Sequence, residues 1–192
     1  MKPIILASGS PRRRELLTQI GLEFTVIPST KEEVIRFEDP ALTVEDLSRQ
    51  KAEDVGAQAP AGSLVIGSDT VVALDGKILG KPRDAEDAVR MLTLLQGRSH
   101  EVFTGVTVLE KGEDRDGDEI NTFSDRTLVR IYPMTEEEIR AYVATGDPLD
   151  KAGAYGIQGL FAAYVEGIDG SFYNVMGLPI GKLYQEIKGR LA

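Results

Sequence analysis

The stretch Ser8-Gly9-Ser10-Pro11 feeds three consecutive arginines, Arg12, Arg13 and Arg14, in a segment (residues 1–14) with four basic side chains and no acidic one. Small residues followed by proline mark a strand-to-helix junction, where free backbone N–H groups and the helix dipole attract an anion. Cations are misplaced in the first turn of a helix. A bound phosphate resolves that misfit, because guanidinium forks match phosphate oxygens. The alternative is an ordinary capped helix with solvated arginines. No GxxxxGK[ST] segment occurs, which excludes a P-loop.

A second candidate is Gly67-Ser68-Asp69-Thr70, directly after the apolar run Leu64-Val65-Ile66. A carboxylate at the C-terminal end of a buried strand is where open α/β sheets place ligand chemistry, and such an Asp can serve as general base or as a Mg²⁺ ligand. A turn-forming Asp is the competing reading. Lys81 of Gly80-Lys81-Pro82 is expected to fold back towards Asp69 through a hairpin at Asp75-Gly76-Lys77. The third candidate is the glycine-rich segment 150–159, in which the Gln158 amide could read a base edge by donating and accepting at once. Other chemistry is weak. Residues 114–118 imitate an EF-hand opening with the glycine misplaced and Asp125 at the twelfth position, so calcium is not expected. His100, the only histidine, reads as a satisfied structural residue, and Glu136-Glu137-Glu138 as helix-start electrostatics.

These residues need elements to hold them. The pattern predicts a strand over 4–7, a helix from Pro11 to about Ile20 stopped by Gly21, a strand over 24–27, and a loop over 31–40. A helix capped by Thr43 follows, with Val44, Leu47 and Val55 inward. Further strands are expected at 64–66, 71–74, 78–79, 102–109 and 127–132, the last two joined by an acidic hairpin loop. Asp84 caps a helix with Val89, Leu92 and Leu95 inward, and Thr135 with Glu138 forms a capping box. A strand pair around Asp169-Gly170 and a terminal helix opened by Pro179 complete the chain. Intermixed strands and helices with several hairpins predict an α/β class with a mixed sheet in one domain over 1–192, with lobes around a cleft.

The chain has 192 residues, 42% hydrophobic and 28% charged, and no cysteine. That removes disulfides, thiolate metal sites and cysteine nucleophiles, and suits a reducing compartment. A net charge of −9 argues against nucleic acid or anionic lipid as a partner. No apolar run reaches the ~18 residues of a membrane span, and the N-terminus reads as a strand, so a cytoplasmic location is expected.

Six segments in order, LASGSPRRRELL (6–17), GSDTVV (67–72), ILGKP (78–82), GRSHEVFTGV (97–106), DKAGAYGIQG (150–159) and NVMGLP (174–179), resemble the Maf family of nucleoside triphosphate pyrophosphatases. The resemblance implies a mixed sheet flanked by helices, with two lobes around a cleft, related to inosine triphosphate pyrophosphatases. It implies hydrolysis between the α- and β-phosphates with a divalent cation, Mg²⁺ or Mn²⁺. By the same resemblance Asp69 is the proton acceptor, while Arg12, Thr70 and Gln158 bear on substrate choice. Lys51 and Lys81 bind phosphate, and Glu33 is an acidic position near the site, a metal-ligand candidate with Asp69. Ser8 and Arg13 belong to the anion-binding junction. The segment 150–159 is similar to the branch acting on dTTP and UTP. Whether Asp69 is a base or a metal ligand stays open, as does the oligomeric state, with a homodimer compatible. Two other readings stay open: a non-catalytic nucleotide-binding regulator of cell division and septum formation, and a nucleotidyltransferase.

Overall fold

The computed structural model describes residues 2–113 and 117–191, so the EF-hand-like positions 114–116, in the acidic loop, lie outside the described residues. Chain order is β1 (Ile4–Leu6), α1 (Pro11–Gln19), β2 (Thr25–Val26), α2 (Pro40–Gly56), β3 (Leu64–Leu74), β4 (Lys77–Leu79) and α3 (Ala85–Leu95). There follow β5 (Ser99–Glu110), β6 (Glu119–Ile131), α4 (Glu136–Ala144), three short 3₁₀ turns over 147–164, β7 (Val165–Asp169), α5 (Phe172–Met176) and α6 (Ile180–Ile187). The strands form one seven-stranded sheet in the order β2-β1-β3-β5-β6-β7, with β4 paired to β3. The β1 pairings are parallel and the rest antiparallel, so the sheet is mixed, as expected.

The local start and stop signals act as their chemistry dictates. Asp84 accepts from Asp87 N at 2.8 Å, Thr135 and Glu138 close a capping box, and Asp75-Gly76 turns the β3–β4 hairpin with both residues at positive φ. Four expectations change. The α2 cap is Asp39, whose carboxylate accepts from Leu42 N at 2.9 Å, because Pro40 takes the first helical position; Thr43 lies one turn inside and donates to Phe37 O and Asp39 O. The runs 64–66 and 71–74 are a single strand, β3. The strand expected at 127–132 begins at Glu119, held by a continuous ladder to β5. The strand expected after Gly170 is instead α5, capped by Ser171.

Of three buried interiors among the described residues, one packs Ala52 and Val55 of α2 on Ile5, Val65 and Leu109, and two flank the sheet's middle. Leu64, Ile66, Val106 and Val108 join Ile4, Leu6, Leu16, Leu17 and Leu183 at one end. Val72, Leu74, Val102, Val129 and Ile131 join α3, α4 and Phe161 at the other. Each fully buried Leu or Phe contributes about 1.5–3 kcal/mol. The long strands β3, β5 and β6 run through both interiors, so their central residues lie where the two lobes part. Among the described residues no helix is long and apolar enough to cross a membrane.

Candidate active site

Asp69 stands in the middle of an eleven-residue strand, neither at a strand end nor in a turn. What makes that stretch of sheet special is the helix lying on it. A Cβ at Gly67 would stand 2.2 Å from Ser48 O on α2, and one at Gly105 would stand 2.1 Å from Val44 O. Both glycines therefore let α2 rest directly on β3 and β5. Residues 67 and 69 share a face of β3, so Asp69 points to the same side as α2. On α2 the inward stripe runs Val44, Leu47, Lys51, Val55, a helical spacing in which one core position is a lysine.

That lysine organises the site. The Lys51 ammonium is 2.5 Å from Asp69 Oδ1 and 3.0 Å from Glu33 Oε1. The Lys51 and Asp69 side chains are each only 14% exposed, whereas Glu33, on the loop before α2, is about half exposed.

Across the cleft stands the start of α1. Ser10 is its N-cap but makes no side-chain cap bond, and its first turn has no acidic residue. Ser8 Oγ instead accepts from Ser10 N and from Arg13 Nη1. Arg13 is buried: its Nε donates to Gly177 O at 2.8 Å and its Nη2 to Thr70 Oγ1 at 3.2 Å. Among the described residues no carboxylate comes within ion-pair distance of this guanidinium. Burial lowers its pKa, with Asp69 opposing the shift. Thr104 donates to Asn174 O, so the Thr70 hydroxyl, 2.9 Å from Thr104 Oγ1, gives its proton there and accepts from Arg13. Thr70 thus couples Arg13 to the strand pair behind Asp69.

The other lobe closes the cleft. Gly153, at φ 67°, packs on Val72 of β3, and its N–H binds Gly80 O at 3.1 Å, which sets the segment after residue 150 beside Lys81. Lys81 and Gln158 are exposed on the rim. Arg12 Nη1 lies 3.4 Å from Asp150 Oδ2, spanning the mouth between the lobes. All nine residues singled out from sequence, Ser8, Arg12, Arg13, Glu33, Lys51, Asp69, Thr70, Lys81 and Gln158, line one cavity of about 880 Å³. Its charged lining also includes Asp150 and Lys151, so it carries a net positive charge inside a chain of net charge −9.

A family model described as "Maf-like protein" matches residues 3–190. The chain belongs to the Maf-like protein family. Among its relatives, a protein named "dTTP/UTP pyrophosphatase" from Agathobacter rectalis is 51% identical, covering 98% of this chain and 97% of that one. Another of that name from Carboxydothermus hydrogenoformans is 49% identical over 96% and 97% of the two chains. Among solved structures, "a HAM1 protein from Coxiella burnetii" aligns with 98% of this chain and all of its own, at a TM-score of 0.53 and 17% identity, which shows a shared fold.

Within this Maf-like cleft the donor set decides which metals fit. Among the described residues no group of three or more His, Cys, Asp or Glu side chains is arranged to hold an ion. Two carboxylates, Asp69 and Glu33, converge on a single cationic point, the Lys51 ammonium. Hard oxygen donors in that number fit Mg²⁺ or Mn²⁺ only if phosphate oxygens and water complete the shell. His100 lies away from this chemistry. It is buried, its Nε2 is 2.7 Å from Tyr155 Oη, and burial lowers its pKa to about 4. It is only half satisfied, since Nδ1 is buried without a partner. Sequence reasoning missed Asn174, whose amide donates to Val102 O and Thr127 Oγ1 and anchors α5 beneath the site. It missed Gln50 and Asp54 as well. A lysine on the apolar stripe of α2 was a readable sign that this helix faces a polar site.

Proposed function

We propose that this chain hydrolyses dTTP and UTP to the nucleoside monophosphate and pyrophosphate. One observation carries the reading: the Lys51 ammonium held between Asp69 and Glu33, facing an arginine-rich helix start without a side-chain cap. The 49–51% identical relatives named dTTP/UTP pyrophosphatase support the substrate choice. Water attacks the α-phosphorus, the bond to the α–β bridging oxygen breaks, and pyrophosphate leaves with that electron pair. Asp69 takes the proton from water through Oδ2, since Oδ1 is engaged by Lys51. Lys51, Lys81 and Arg12 neutralise charge on the leaving group, while Arg13 and the open α1 N-terminus hold phosphate oxygens. Arg12 does so by exchanging Asp150 for phosphate. Gln158 faces the imide edge shared by thymine and uracil.

Asp69 and Glu33 would hold a divalent cation together with the phosphates. When bound, such an ion supplies positive charge that a triphosphate of about −4 needs beyond the side chains. Reaction at the cleft needs no protein nucleophile, in keeping with the absence of cysteine. We assign the enzyme to the cytoplasm, with free nucleotides rather than nucleic acid as its partners. The test is a kcat/KM panel over dTTP, UTP, dCTP, dATP and dGTP, with Mg²⁺ and with excess chelator. dTTP and UTP turning over fastest, and only with metal, supports the reading; nucleotide binding without turnover overturns it.

A further inference from the structure

Glu33 lies in a segment that regular structure and core packing do not hold. Residues 27–39 form neither helix nor strand, and Val34, Ile35 and Phe37 all present exposed side chains. Yet Glu33 reaches Lys51 at 3.0 Å. A half-exposed ion pair fixes a loop only weakly. Something else positions this carboxylate.

We propose that Gln50 is a positioning residue for Glu33, acting through the backbone of Val34. Gln50 Oε1 accepts from Val34 N at 3.0 Å, and Nε2 donates to Val34 O at 2.8 Å, so one carboxamide engages both main-chain polar groups as a neighbouring strand would. Its second N–H goes to Asp46 Oδ2 at 2.7 Å, which uses both donors and fixes which way the amide faces. Asp46, Gln50 and Asp54 recur every four residues on α2, along one face. The loop runs antiparallel down that face. Asp54 Oδ2 accepts from Ser29 Oγ, Thr30 N and Lys31 N, Gln50 holds Val34, and Asp46 Oδ1 is 3.0 Å from Arg36. Hydrogen bonding from Ser29 comes first among the causes that lower the Asp54 pKa, and burial opposes it.

The clamp therefore works from behind the site. Gln50 and Asp54 line a second cavity of about 550 Å³ and are not part of the catalytic cleft, whereas Glu33 and Lys51 border both. Lys51 and Gln50 are adjacent on α2, so the helix that aims the ammonium also aims the carboxylate that meets it. The kinetic part of this inference rests on the hydrolase reading above.

The experiment is a double-mutant cycle on dTTP hydrolysis with Gln50→Leu, Glu33→Gln and the double variant, together with amide hydrogen exchange at Val34 and the carboxyl ¹³C resonance of Glu33. Gln50→Leu is expected to lower kcat by about 10-fold with KM changed less than about 3-fold, because a displaced catalytic-site group costs rate more than ground-state binding. The double variant should fall no further than Glu33→Gln. Val34 exchange should speed by about 10-fold while core amides stay unchanged. Multiplying losses, unchanged Val34 exchange, or wild-type kcat in either Gln50→Leu or Glu33→Gln overturns the proposal. Wild-type protein inert towards dTTP would fail the substrate reading instead. The Glu33 resonance then decides: in Gln50→Leu it should move as it does in Lys51→Met, and no movement overturns the clamp.

Discussion

Arg13 offers a test in which stability and activity should part company. Its guanidinium is buried, donates to Gly177 O, Ser8 Oγ and Thr70 Oγ1, and lowers its pKa through desolvation. Arg13→Met keeps an unbranched apolar stem and removes the charge. Hydrogen bonds from a charged donor contribute about 1.5–3 kcal/mol each, so three suggest a gross loss of roughly 5–9 kcal/mol. Two features reduce it. Each acceptor keeps another partner: Ser68 Oγ for Gly177 O, Ser10 N for Ser8, and Thr104 for Thr70. The substitution also removes a buried cation with no carboxylate at ion-pair distance, whose desolvation costs several kcal/mol. The net change should stay within about 2 kcal/mol, a Tm shift below about 8 °C at this chain length. Activity should respond otherwise, since losing a preorganised donor to phosphate costs about 10²-fold or more in kcat/KM for dTTP. Thermal melts and steady-state kinetics on one preparation decide it. A Tm drop beyond about 15 °C with near-normal kcat/KM in the folded fraction would show a brace and refute the phosphate role.

Gln158→Glu keeps the size of the side chain, removes its donor and sets a carboxylate against a base carbonyl. It should lower kcat/KM for dTTP and UTP by at least ~10²-fold while sparing the slow turnover of purine nucleotides; an equal loss for every base would mean that Gln158 only supports its loop. His100 predicts an acid-side stability limb. Its folded pKa of about 4 lies below the unfolded 6.5, so the unfolded chain gains protons first as pH falls. Stability is lost through that window by up to about 3 kcal/mol. His100→Gln should flatten the slope in urea melts between pH 7 and pH 4, and parallel slopes for the two proteins would disprove the assignment.

Where local chemistry alone decides structure, the sequence was readable. Asp84 with its α3 stripe, the Thr135–Glu138 box and the Asp75-Gly76 turn depend on neighbours within four residues, and all three form as read. The Ser8-to-Arg14 junction was legible for the same reason, although Ser10, its N-cap, makes no side-chain cap bond. The misreadings have tertiary causes. Gly67-Ser68-Asp69 has the composition of a turn, yet the glycine serves the contact with α2 and the strand continues through it. The polar stretch 119–126 has weak strand propensity and is strand because β5 supplies a long partner. The path of residues 29–36 depends on side chains 10 to 25 positions away on α2, beyond the reach of any local pattern. The site residues themselves emerged through motif resemblance more than periodicity, Lys51 above all.

The central claim is hydrolysis at the α-phosphorus with Asp69 as proton acceptor, and ³¹P NMR of a dTTP reaction tests it most directly, run with wild-type protein and with Asp69→Asn. dTMP and pyrophosphate should appear together in equal amounts from the first turnover, with the rate falling by about 10²-fold or more in Asp69→Asn. Orthophosphate and dTDP as the first products, or an Asp69→Asn rate within a few-fold of wild type, would contradict it.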